Sequence, residues 1–225
     1  MSTPLPYRFN PYVGDSYGAY VEHHKNRLLI LGESHYGTKE EGDTELTNRV
    51  MRDWRDRKRP HTALTKTAKI LTQLDTALIR RNRQHFFNGC VFYNYMQDYV
   101  GLRHDDFNAD FLKHLPLFEQ LICTLKPTHI LGWGWRLGEG LMQCSQRASS
   151  HTKISRDTTI DGYRLMIGDV QCAMMFIPHP SARGNLYAEH AGRVKRLMNS
   201  YGGIPQASIF DGGTVSMTPI ATNPS

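Results

Sequence analysis

At 225 residues, with 40% hydrophobic and 21% charged side chains, the chain has an ordinary globular composition and is long enough for one domain with its own core. No apolar stretch approaches the ~20 residues of a membrane span, and the opening MSTPLPYRFNPYVGDSYGAY lacks the charged lead and apolar core of a secretory signal, so a cytoplasmic location away from any membrane is expected. The formal charge of +6 and pI near 9.2 favour a polyanionic partner without identifying one.

Taken in chain order, the first clear element is RLLIL (27–31), a short apolar run that reads as a strand buried on both faces. Residues 38–60 form a basic insert. Within it RVMRDWRDRKRP (49–60) carries six Arg or Lys against two Asp. TALTKTAKILTQLDTALIRR (62–81) places Leu64, Ala68, Leu71, Leu74 and Leu78 on one helical face. GCVFYN (89–94) reads as a second strand. DFLKHLPLFEQLICTLK (110–126) reads as a helix that Pro116 breaks or restarts. HILGW (129–133) gives a third strand, and WRLGEGLMQCSQR (135–147) a glycine-containing helix. YRLMIGDV (163–170) adds a short strand before the fourth, AMMFIP (173–178), and NLYAEHAGRVKRLMNS (185–200) is a final helix. The tail MTPIATNPS is expected to fray.

Strands alternating with helices predict a three-layer α/β/α fold around a central, mostly parallel four-stranded sheet, in a single domain over 1–225 with its core at about 27–200. Cys90, Cys123, Cys144 and Cys172 contain no C-x-x-C pair, so they read as buried free thiols rather than as ligands of a metal cage. In such folds sites lie beyond the carboxyl ends of the strands. There the sequence places Glu33, Ser34, His35 and Tyr36 after the first strand, Asn94 at the end of the second, GWGW after the third and HPSARG, from His179, after the fourth. A carboxylate can orient water, an amide can read one edge of a nucleobase, and a histidine can stabilise a departing anion. Together they suit cleavage of a C–N glycosidic bond.

ILGESHYG, CVFYN, HILGWG and IPHPSARG, in that order over about residues 27–200, resemble the uracil-DNA glycosylase superfamily. The resemblance implies that His179 stabilises the departing base, that Pro180 and Ser181 form a phosphate-pinching turn, and that Asn94 reads the flipped pyrimidine. The first motif departs from the family's G-Q-D-P-Y-H. Ser34 stands at the Asp position, His35 at the Pro and Tyr36 at the Tyr. Glu33 instead fits the G-E-A-P-G of a thermophile-type branch and is taken as the water-positioning carboxylate, with Ser34 and Tyr36 lining the base pocket. That branch holds an iron–sulfur cluster, which the cysteine spacing here does not support. Arg183 replaces the intercalating Leu of the family's histidine loop. Trp54 is the candidate for stacking on the base.

The implied activity is monofunctional hydrolysis of the bond between sugar and base at a uracil or a modified or damaged pyrimidine. It would serve repair or defence against modified foreign DNA. DNA is the partner, held by Arg55, Arg57, Lys58, Arg59, Ser181 and Arg183, and the protein acts as a monomer with no metal or organic cofactor. Simpler roles also fit individual residues. His35 reads as a structural hydrogen-bonding residue, Trp133 and Trp135 as core or rim, and His23, His24, His61, His85, His104 and His114 as surface. Nothing places Lys66 or Lys69 near the sugar, so no lyase step is expected. Two other classes stay open: a hydrolase like the erythromycin-esterase proteins, whose G-E-A-T-H-G loop LGESHYGT resembles, and a catalytically inactive DNA-binding member.

Overall fold

A computed structural model describes residues 5–23, 25–36, 43–100, 107–147, 152–182 and 186–211. The elements run β1 (Tyr12–Val13), α1 (Tyr17–Glu22), β2 (Leu28–Gly32), β3 (His35–Tyr36), α2 (Leu46–Arg55), α3 (Thr62–Thr72), α4 (Thr76–Arg81), β4 (Cys90–Asn94) and β5 (Tyr99–Val100). They continue with α5 (Phe107–Leu125), β6 (His129–Trp133), α6 (Trp135–Arg147), β7 (Thr152–Asp157), β8 (Gly162–Ile167), β9 (Val170–Ile177), α7 (Leu186–Asn199) and α8 (Gln206–Ile209).

The four apolar runs of the sequence are β2, β4, β6 and β9, and they pair in parallel in the order β4-β2-β6-β9. Every residue of β2, β4 and β6 is buried, which explains why each reads as an unbroken apolar run. Side chains alternate between two cores. Leu28 and Ile30 join Met51 and Trp54 of α2 and the buried faces of α3 and α7, whereas Leu29 and Leu31 join Phe118 and Ile122 of α5 and Leu137 and Leu141 of α6. Helices therefore cover both faces.

The sheet has seven strands rather than the expected four. β1 adds antiparallel to β4 at one edge, and the hairpin β7–β8 adds antiparallel to β9 at the other. β7, TKISRD, is buried only at its two ends and carries no apolar run, so periodicity alone does not reveal it. Two helix predictions also change. The segment 62–81 is two helices, because Gln73 adopts the left-handed conformation (φ 60°) and Asp75 caps a new start by accepting from the Leu78 amide at 2.9 Å. Pro116, by contrast, lies inside an unbroken α5. It sits on the exposed side, and so does Leu112, one turn earlier, whose carbonyl Pro116 cannot serve, so that carbonyl can meet water. No described helix is long and apolar enough to cross a membrane.

Candidate functional site

The parallel register brings the strand ends together. Gly32 pairs with Asn94, Leu31 with Gly132, and Trp133 with Ile177, two residues before His179. Glu33, Asn94, Trp133 and His179 thus gather at the carboxyl ends of the parallel strands. They line a cavity of about 440 Å³ together with Ser34, His35, Phe92 and Ser181. Its far wall comes from α2 (Leu46, Val50) and from the entry to α3 (Pro60 to Leu64).

Glu33 is 7% exposed, and its carboxylate accepts two bonds from Arg136, from Nη2 to Oε1 and from Nε to Oε2 at 3.3 Å. Arg136 lies in the first turn of α6, which the positive-φ Gly134 (φ 103°) joins to β6. A side chain at 134 would approach Glu33 Oε2 to 3.7 Å. Arg136 escapes a sequence reading because its reach to Glu33 depends on how α6 leaves the sheet; the only cue is that it follows GWGW by one residue.

Asn94 is 6% exposed. Its Nδ2 donates to His35 Nε2 at 3.0 Å, and the Thr47 hydroxyl lies 2.9 Å from the same nitrogen. Burial lowers the His35 pKa to about 4, with Asp43 pulling the other way, so the ring is neutral at pH 7 and carries its proton on Nδ1. The Asn94 carboxamide is fixed from behind as well, because Gln97 Nε2 donates to its backbone carbonyl at 2.9 Å. Its Oδ1 lies over Gly32, where a Cβ would come within 2.0 Å of it, so only glycine leaves room. His35 thus holds Asn94 and Thr47 in place, and it also lines the cavity.

His179 Nδ1 accepts from the Ser181 amide at 3.2 Å and lies 2.6 Å from its hydroxyl. An amide can only donate, so the neutral ring carries its proton on Nε2. Burial holds the His179 pKa below the usual imidazole value, against an upward pull from the Glu33 carboxylate. Trp133 meets His179 edge-on with centroids 5.7 Å apart, and Phe92 tilts against Trp133 at 5.0 Å. Two buried polar atoms of the lining residues, Ser34 Oγ and Trp133 Nε1, have no hydrogen-bond partner, although Trp133 is only 3% exposed. Buried donors without partners are uncommon and call for an explanation.

His61 is not the surface residue expected. It caps α3, its Nδ1 accepting from the Leu64 amide at 3.4 Å, and it lines the cavity. Its pKa is lowered by burial and then by His179, which places the two imidazoles within electrostatic reach. With Nδ1 accepting, Nε2 is again the donor. A histidine directly before the helical pattern of 62–72 is the sequence signal that points to it. His114 is likewise buried, beneath Gln97. Phe92 is legible by period, two residues before Asn94 and so on the same strand face.

Of the described residues expected to hold DNA, Ser181 lines the cavity and the basic ones turn elsewhere. Arg55 turns back to the Tyr12 hydroxyl at 3.0 Å and to Asp15, Arg57 donates to the Arg81 carbonyl, and Lys58 pairs with Asp56 at 3.1 Å. Neither these residues nor Arg59 line the cavity. Trp54 is not a stacking platform: it is buried against Phe86 and Phe87, and its Nε1 donates to Thr65 at 3.1 Å. Trp135 is exposed and packs against His190 and Arg193 rather than lining the cavity. Cys90, Cys144 and Cys172 are buried thiols, but Cys123 is exposed on α5. Arg183, His24, His104, residues 38–42 of the insert, the tail and the Tyr36 side chain lie outside the described residues. No protein-family model and no curated protein matches the sequence.

Proposed function

We propose that the protein is a monofunctional DNA glycosylase of the uracil-DNA glycosylase type, acting on a flipped uracil or modified pyrimidine. The observation that carries this reading is the convergence of Glu33, Asn94 and His179 at the carboxyl ends of the parallel strands, around a cavity large enough for a single base and walled by Phe92 and Trp133. In this mechanism the base enters against the aromatic pair and Asn94 reads its edge. As the C1′–N bond breaks, the sugar becomes cationic and the base takes the bonding electrons. The N–H of His179 stabilises that anion as a hydrogen-bond donor, with His61 as a second donor. Glu33, aimed by Arg136, orients the water that attacks C1′ and takes its proton. The products are a free base and an abasic site. Swinging the base out costs a few kcal/mol, least at a mispair.

A second reading, a member that binds DNA without cutting it, draws support from the two bonds Glu33 already accepts from Arg136. One assay separates them. Labelled oligonucleotides carrying uracil, hypoxanthine, hydroxymethyluracil or modified cytosines, glucosylated ones included, are incubated with the protein and treated with alkali. Alkali-dependent cuts at one base, lost in His179→Ala, are the expected outcome. Binding without release of any base would leave the second reading.

A further inference from the structure

Beside the cavity lies a second one of about 470 Å³, lined by Lys66 and Lys69 of α3, by Thr76 and Arg80 of α4, and by Arg83. The two cavities share Pro60, His61 and Thr62, so the groove opens off the base pocket. Lys66, Arg80 and Arg83 bring like charges to one groove, where they repel each other unless something offsets them. Arg83 is the informative one. It is only 8% exposed, its Nε has no hydrogen-bond partner, and among the described residues no carboxylate pairs with it. Its guanidinium instead lies over the Trp54 ring at 5.7 Å. Arg80 also makes no ion pair with any described carboxylate, whereas Arg55 and Lys58, in the basic stretch before α3, have theirs. Lys66 reaches the other way and donates to the Ala182 carbonyl at 3.1 Å, next to the turn that holds His179. A nearly buried guanidinium without an anion, set among further cations and open to a cavity, lacks a negative ligand.

We propose that this groove binds phosphodiester anions of the DNA strand whose base occupies the adjoining pocket, Arg83 and Arg80 gripping one phosphate region and Lys66 tying the strand to the His179 turn. The proposal rests on the glycosylase reading for the identity of the strand. It places the backbone between α3 and α4, not along residues 55–59.

The test uses the full chain and a 15-nucleotide single strand with a fluorescent end, its dissociation constant followed by anisotropy over a series of salt concentrations. The double variant Lys66→Gln/Arg80→Gln changes two solvent-reaching ends and should fold as the parent does, checked by circular dichroism. Arg83→Gln is the sharper but riskier companion. The expected result for the double variant is a loss of affinity of tenfold or more. The slope of log affinity against log salt should become shallower by about 0.7 for each phosphate no longer neutralised. Unchanged affinity and slope in a folded double variant would overturn the groove, whether or not the parent releases a base. If the parent releases no base yet the variants lose DNA binding, the groove stands and the glycosylase reading falls.

Discussion

Two charged regions of this molecule are built on opposite plans. At the hairpin edge of the sheet the charges satisfy one another. Asp157 accepts from the Thr159 amide and hydroxyl, from Tyr201 and from Arg164, while Asp161 pairs with Arg156 and Arg193 and lies 3.6 Å from Arg196. At the mouth of the parallel strands Ser34 and Trp133, and in the adjoining groove Arg83, keep buried polar atoms without partners. A region that closes its own hydrogen bonds is there to hold the fold, here by tying β7 and β8 to α7 and the residues after it. On the proposed reading, the open groups at the mouth are those that a bound base would meet. Sequence charge does not separate the two, since both are rich in arginine.

The contrast can be tested from both sides. The largest effect is expected at the mouth. His179→Ala should lower base release by about 10²- to 10³-fold, as loss of one preorganised donor does, with the melting temperature little changed because the side chain is only partly buried. A loss of fold equal to the loss of activity would erase the distinction.

Next comes His35, behind the mouth. Its folded pKa of about 4 lies below the 6.5 of the free side chain, so between those values the unfolded chain binds more protons. Stability is therefore full above pH 6.5 and declines by about 3 kcal/mol as pH falls to 4. Urea midpoints across that range should show the decline, and His35→Gln should make it shallower without abolishing it, since burial also lowers His61, His129 and His179.

At the hairpin edge, Asp157→Asn should cost about 1 to 2 kcal/mol through weaker hydrogen bonds and leave the rate of the folded fraction alone. Hydrogen bonds hold the Asp157 carboxyl below its usual range, so its contribution is present above pH 3.8 and is lost as pH falls further. The smallest effect is expected from Arg57, Lys58 and Arg59. Changing all three to Gln should weaken DNA binding by no more than about threefold, the scale of screened surface charges. A tenfold loss there would return the strand to the stretch that sequence charge favours.

How far the sequence can be read depends on the range of the interaction. β2, β4, β6 and β9 announce themselves because burial on both faces demands apolar residues throughout. The residues at or just beyond their ends, Asn94, Glu33 and His179, follow from that frame. What escapes needs tertiary contact to acquire meaning. Arg136 matters because α6 turns it onto Glu33, Arg83 because α4 brings it beside α3, and His61 because its helix begins at the mouth. Trp54 misleads for the same reason: an aromatic in a basic stretch looks exposed until α2 turns it into the core. The hairpin strand β7 stays hidden because half its residues face water.

Gln73 carries a consequence for the groove. Had the helical pattern of 62–81 continued without a break, Lys66 and Arg80 would stand about 21 Å apart along one straight rod, at 1.5 Å per residue. The single left-handed residue ends that rod and folds α4 back, so that side chains far apart on a continuous helix face the same hollow. The backbone thus trades reach for concavity at one position, and the phosphate groove proposed here is the inside of that bend.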